Sequence, residues 1–475
     1  MFKKITLLFI LFICILNYYK PYAQTRSLDY TVELNSAISS NDALPFWMTA
    51  NKFGSVTNKN YSAVYTSIFS DFNPSKSDFS FSYKASFTGL KEAKNNILVN
   101  ELYTSARFKN IQLDLGVKHN NIIWEGLSSS NGNIVKSTNS RSLPGYNISL
   151  LNYSQLPFAK KWLSLKGNYS DYVFNDKRMT SNARLHAKSL FFKSTLNSKL
   201  ELITGINHYV QWGGNSAIFG KQPSSFKDYL RIVSGKSGGS DATEGDQINA
   251  LGNHLGSYLV QLNYVGEKLN WNFYYSHLFE DRSGREFQNW RDGLYGFFID
   301  FKKPKALISY LLTEFTYTKH MSGASPPDQG YDEFGNSIPG RGLDNYFNNG
   351  IYGSGWTYFG NTIGSPYFTS NLTDEQGITQ GVIVGDNRFV AFNLGLKGNL
   401  YNIPYKLIVS HTTYVGWFNA EYQPKPTQFS GYLEVIFPKI NKFPLLITTG
   451  TAFDTGTYRP GNIGGFIKLT KKGIF

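Results

Sequence analysis

Four residues inside a ten-residue window, Arg282, Arg285, Trp290 and Arg291, are the side chains of this sequence best suited to holding a ligand. Arginine presents a planar fork that grips a carboxylate through two parallel hydrogen bonds. A tryptophan beside it offers the kind of flat face on which the C–H face of a sugar stacks. Tyr352, Trp356, Tyr358 and Trp417 add rings in other connecting segments. Together these residues are the candidate polysaccharide-binding set. They also fit a structural role, with the rings in an interfacial girdle and the arginines paired to Glu280, Asp281, Glu286 and Asp292 or to lipid phosphates.

Covalent and metal chemistry find less to work with. The seven His are scattered, with no pair at zinc-ligand spacing, and His119, His208, His277 and His411 fall at or near strand ends. Cys14 is the only cysteine and lies in the N-terminal leader, so neither a disulfide nor thiol chemistry is expected after its removal. Gly235-Lys236-Ser237 has the ending of a phosphate loop, but Leu230 stands where that loop needs glycine. Asp328, Asp332 and Asn336 share one segment without the spacing of a calcium loop. A surface hydrolase would need a Ser–His pair, and in a chain this rich in serine such neighbours arise by chance. The expectation is a non-enzymatic protein with no catalytic residue, metal or cofactor.

The scaffold that would position such loops is written in strands. With 37 Phe and 32 Tyr against 17% charged residues, the chain is rich in strand formers, and a mean hydropathy of −0.30 is too polar for a bundle of membrane helices. It suits a barrel, where half of each strand faces water. Phe79, Phe81, Tyr83, Ala85 and Phe87 alternate with Ser80, Ser82, Lys84, Ser86 and Thr88, and Ile111, Leu113, Leu115 and Val117 alternate with Gln112, Asp114, Gly116 and Lys118. The same reading along the chain predicts eighteen strands from 29–35 to 462–475, with 146–154 and 306–319 among them. From the fourth strand on, short connections such as Lys109-Asn110 and Asn197-Ser198 alternate with long ones at 120–145, 211–254, 279–293 and 320–389. Short turns on one side and long loops on the other are the habit of bacterial outer-membrane barrels.

The fold expected is therefore all-β: a transmembrane outer-membrane β-barrel of about eighteen antiparallel strands with long extracellular loops. Residues 1–23 read as a secretory signal peptide, with Lys3 and Lys4 before an apolar run, and 24–475 as a single barrel domain. Within it, 36–60 is available as a plug or a loop, and 320–389 is a long extracellular loop that either folds inward or stands up. The closing strand ends on Phe475, suited to engaging the outer-membrane insertion machinery. The formal charge of +14 stays strongly basic without the leader's Lys3, Lys4 and Lys20. Outside the cytoplasm that excludes nucleic acid and points to lipid phosphates or acidic polysaccharide as partners.

Several segments resemble the capsule-assembly family of the Wzi type in its Bacteroidetes form. These are Leu44-Pro45-Phe46-Trp47-Met48-Thr49-Ala50-Asn51-Lys52-Phe53-Gly54, then Glu125 to Gly132 with Ser137 to Arg141 and Pro144, then Gln211-Trp212-Gly213-Gly214 and Gly252 to Gly256. The resemblance implies a lectin-like outer-membrane barrel that attaches acidic or neutral capsular polysaccharide at the cell surface. It also implies a periplasmic helical plug near the N-terminus, although Pro45 and Gly54 interrupt any helix in 36–60. The alternative is a porin-like channel for sugars or small solutes, whose lumen would be lined by Lys84, Glu101, Arg107, Asp114, Lys118 and Lys166.

Overall fold

The computed structural model describes residues 28–72, 78–91, 95–159, 162–280, 282–322, 344–370, 383–417, 420–437 and 445–475. The leader and Pro326, Pro327, Asp328, Asp332 and Asn336 lie outside the described residues. Eighteen long strands form one closed antiparallel sheet. They are β1 Asp29–Ser39, β2 Tyr61–Ser70, β3 Phe79–Lys91, β4 Asn95–Phe108, β5 Ile111–Val117, β6 Gly145–Leu150, β7 Leu163–Val173, β8 Arg184–Thr195 and β9 Leu200–Trp212. The second half comprises β10 Asn253–Val265, β11 Asn270–Phe279, β12 Gly293–Asp300, β13 Tyr310–Tyr317, β14 Arg388–Leu400, β15 Ile403–Trp417, β16 Thr427–Phe437, β17 Leu446–Gly456 and β18 Asn462–Ile474. Each pairs with its neighbour in sequence, and β1 pairs with β18 in a register running from Asp29 opposite Ile474 to Ser39 opposite Gly464. Closure leaves the sheet without an edge, which a bilayer demands because nothing there can hydrogen-bond a free strand.

The alternation in the sequence becomes two walls. On β1, Val32, Leu34 and Ile38 lie bare on the outside, while Thr31 and Ala37 are buried within. Val64 and Ile68 of β2, Tyr83 and Phe87 of β3, and Ile463 and Ile467 of β18 continue the outer apolar band. That band is the surface that lipid covers in barrels of this class. No helix among the described residues is long and apolar enough to cross a membrane. Two strands are shorter than expected. β6 ends at Leu150, and Ser154–Gln155 pairs separately with β7. β13 starts at Tyr310 because the Ala306 amide closes a turn onto the Lys303 carbonyl at 3.0 Å.

Long and short connections sort to opposite ends, here termed the loop rim and the turn rim. The short helices belong to the loop rim: α1 Phe46–Thr49, α2 Phe226–Ser234, α3 Glu244–Ile248 and α4 Arg282–Arg285. Helix α2 opens on a capping box between Ser225 and Asp228 and lays Ile232 against Val210, Trp212 and Leu251 on the outer side of the wall. Gly235 is its left-handed cap, at φ 65°, so the Gly-Lys-Ser run ends a helix, whereas a phosphate loop would begin one.

Candidate functional site

The predicted ligand-holding residues divide into two groups. Arg282, Arg285, Trp290 and Arg291 stand exposed on the β11–β12 loop. Arg282 pairs with Glu286 at 2.6 Å, both largely in water, and so is held only weakly. Trp290 is 57% exposed, and the Arg291 guanidinium lies 5.2 Å from its ring. A cation and a flat face thus sit side by side at the rim. Trp417, partly exposed, ends β15 elsewhere on the same rim. Tyr352, Trp356 and Tyr358, by contrast, are buried inside the barrel. The Trp356 indole donates to the Val135 carbonyl at 2.6 Å, and Tyr358 hydrogen-bonds Asn175. A tryptophan with every face packed is a core residue in this arrangement and offers no platform to a sugar.

Those buried rings belong to a plug. Three loop-rim segments, 40–60, 118–144 and 344–370, fold into the lumen and share one apolar core that includes Trp47, Ile134, Tyr346, Phe347, Tyr367 and Phe368. Phe46 stacks on Tyr367 at 5.7 Å, and Trp124 lies parallel to the wall residue Tyr274 at 5.2 Å. The segments also hydrogen-bond one another. Phe53 donates to Thr138 at 2.7 Å, Asn51 to Ser129 at 2.8 Å, and Ser137 to Ile363 at 2.9 Å. Residues 36–60 therefore supply part of a plug that enters from the loop rim, with a single four-residue helix. This differs from the N-terminal helical plug that the family resemblance implies. Pro45 precludes an earlier helix start, and Gly54 at φ 55° turns the chain beneath Arg141.

Buried carboxylates fasten each segment, and sequence reasoning missed them. Glu314 on β13 accepts from Ser128 Oγ at 2.5 Å, Ser129 N at 2.7 Å, Tyr274 OH at 2.5 Å and Asn393 at 3.2 Å. Asp454 on β17 accepts from Phe46 N at 2.9 Å and Ser430 at 2.6 Å. Asp292, just before β12, accepts from His320 N, Met321 N and Tyr346 OH at 2.9, 2.6 and 2.6 Å. Burial pushes the Asp292 carboxyl up to about 7, against the pull of those three donors. The available signal was an acidic residue at an inward-parity position: Glu314 shares its parity with the buried Leu312 and Thr316.

The histidines serve structure. The His277 ring lies between the carbonyls of Asp292 and Gly284, 3.0 and 3.3 Å from its two nitrogens, His119 stacks on Phe53 at 3.9 Å, and His208 meets His254 at 2.9 Å. Among the described residues no three His, Cys, Asp or Glu converge as metal ligands. Beneath the plug, a cavity of about 420 Å³ lies between Lys52, Phe53 and the wall residues Tyr432, Glu434 and Lys468.

The motifs that carry the family resemblance meet at the joints of the plug. Asn51 and Gly54 of the first touch Ser129, Asn139 and Arg141 of the second, and Gln211 of the third donates to the Gly355 carbonyl at 3.1 Å. A family model described as capsule assembly protein Wzi matches residues 47–380. Among solved structures, Escherichia coli Wzi, an outer-membrane protein involved in group 1 capsule assembly and a carbohydrate-binding β-barrel, aligns over 92% of this chain and 83% of its own. The identity is 13% and the TM-score 0.55, a likeness of fold. Pseudomonas aeruginosa OccK3 (OpdO) aligns over 94% and 96% at 11% identity and a TM-score of 0.48, and Acinetobacter baumannii OccAB1 over 96% and 98% at 9% and 0.46. No curated protein sequence matches significantly. The chain is an outer-membrane-type β-barrel that belongs to the Wzi capsule-assembly family.

Proposed function

We propose that this protein holds capsular polysaccharide, acidic or neutral, on the outer face of the bacterial outer membrane. In this reading residues 1–23 are a cleaved signal peptide, the turn rim faces the periplasm and the loop rim faces outward. The exposed loop bearing Arg282, Arg285, Trp290 and Arg291, with Trp417 beside another strand end, makes the contact. The single observation that carries the reading is the plug. Three segments packed into one core inside the lumen suit a barrel that binds at its surface and oppose a steady open pore. Tyr352, Trp356 and Tyr358 take the part of plug core within this function.

The test is deletion of the gene in its own host, with surface polysaccharide measured separately on cells and in the medium. Polymer still made but shed supports tethering, and an unchanged cell-bound fraction refutes it. Silence of the purified protein in a planar bilayer is expected. A steady conductance would favour the alternative, a porin-like channel for sugars or small solutes.

A further inference from the structure

We infer that the turn-rim half of the lumen contains a second binding site, beneath the plug, for a short anionic oligosaccharide. A cavity of about 470 Å³ lies between the plug segment 118–144 and the inner faces of β4 to β9. Its charge is one-sided. Arg107, Lys118, Lys136 and Lys166 line it against a single carboxylate, Asp114. That carboxylate is already committed, to Lys118 at 2.6 Å, Gln112 at 2.7 Å and Ser105 at 2.5 Å. Lys136 and Lys166 have no carboxylate partner among the described residues. Their ammonium groups hang over the rings of Tyr172 and Tyr153 at 5.2 and 6.0 Å. Arg107 donates to the neutral Gln112 amide at 2.7 Å, without a carboxylate in salt-bridge contact among the described residues, and caps the Phe72 ring. Unneutralised cations in a walled, low-dielectric space favour an anion much more than the same cations on an open surface.

The rest of the lining says what kind of anion. Asn147, Asn168 and Asn207 project from the walls, and Asn131 and Asn133 come down from the plug. A side-chain amide carries both donors and an acceptor, so a bank of them matches hydroxyl groups, which also do both. The wall amides are already ordered, with Asn168 donating to Asn147 at 3.3 Å and Asn147 to Asp114 at 3.2 Å. The rings of Tyr172 and Tyr209 border the same space. Lysines supply the charge match, amides the hydroxyl match and tyrosines the stacking face. The ligand class is a carboxylate-bearing sugar of about two residues. The site shares no residue with the exposed loop of Arg282 to Arg291 and stands or falls apart from tethering at the loop rim.

The experiment is calorimetric titration of the full-length protein in detergent with digalacturonate, maltose and inorganic phosphate as probes. Digalacturonate is expected to bind more than tenfold tighter than either other probe. Lys166→Gln, which removes a wall cation without touching the plug, should weaken it at least fivefold. Asn168→Asp, isosteric but like-charged with the ligand, should weaken it further, and Lys471→Gln, which removes an exposed cation of β18 outside both sites, should leave it unchanged. Heat-modifiable migration of each variant in detergent gels reports that the barrel is intact. Absence of digalacturonate binding, equal binding of phosphate or maltose, or affinity indifferent to both Lys166→Gln and Asn168→Asp in intact barrels would overturn the assignment.

Discussion

Replacing Glu314 by glutamine tests whether a single wall carboxylate holds the plug. Oε1 accepts from Ser128 and Tyr274, and Oε2 from Ser129 N and Asn393. Glutamine keeps one oxygen for Ser129 N and Asn393 and turns its amide to the Ser128 and Tyr274 hydroxyls, which must rotate to accept, so two bonds reverse and all four lose the buried charge. Bonds to a buried charge are worth about 1.5–3 kcal/mol against about 0.5–1.5 for neutral ones, so weakening four of them by about 1 kcal/mol each costs roughly 4 kcal/mol. It falls on docking of the 118–144 segment, because β13 itself stays laddered to β12 and β14 along its length. A loss of about 4 kcal/mol raises the undocked population on the order of a thousandfold. Hydrogen exchange read by mass spectrometry should show peptides spanning Trp124 to Arg141 exchanging faster by about that factor, with β13 unaffected. Bursts of conductance should appear in a planar bilayer. An acceleration below about tenfold in an intact barrel would refute the idea that Glu314 latches the plug.

Three other outcomes are expected. The Asp292 carboxyl is raised to about 7 from the ~3.9 of a free aspartate, so the docked arm binds its proton more tightly than the undocked one. Docking is then strongest below about pH 4 and weakens as pH rises toward 7. Exchange of the Tyr346–Phe347 amides, corrected for intrinsic pH dependence, should be slower at about pH 5 than at about pH 8, and Asp292→Asn should flatten that difference. Gly395→Val should expel the plug, since a Cβ there would sit 2.6 Å from Leu127 Cβ and 3.0 Å from its carbonyl oxygen, measurable as new protease cleavage between Trp124 and Arg141. Trp290→Ala combined with Arg291→Ala should lower cell-bound polysaccharide several-fold while shifting barrel stability by less than about 0.5 kcal/mol each, as for exposed side chains generally. Unchanged retention would remove that pair from the proposed contact.

The barrel was legible because a bilayer leaves two solvents on the two sides of every strand, and a period of two records which side is which. Tyr83 and Phe87, which lie exposed, and Ser82 and Ser86, which lie buried, are sorted by parity in the sequence alone. The plug was not legible, because its contacts have no period. Trp356 and Trp290 both stand in Gly-flanked or polar connecting segments, yet one is fully buried and the other 57% exposed. What separates them is a partner 221 residues away, the Val135 carbonyl, which no local pattern announces. Helix α2 lay between these extremes. It falls inside the connection 211–254, read as a long loop, although its Ser225–Asp228 capping box is a local helix signal.

The latches have a consequence for timing during biogenesis. Phe46 is held by Asp454, 408 residues later, Trp47 by Ser410, 363 residues later, and Ser128 by Glu314, 186 residues later. Two of the three plug segments are thus made early and fastened late. The entropy of closing such spans grows only logarithmically with length, so waiting is thermodynamically inexpensive. It does dictate an order. Neither α1 nor the seam between β1 and β18 can settle until the last strands exist. A chain halted before β17 would therefore lack both its closing ladder and the anchor of its first plug segment, and would present an open, gated-by-nothing trough to the assembly machinery. A filled lumen is in this sense the mark of a finished molecule.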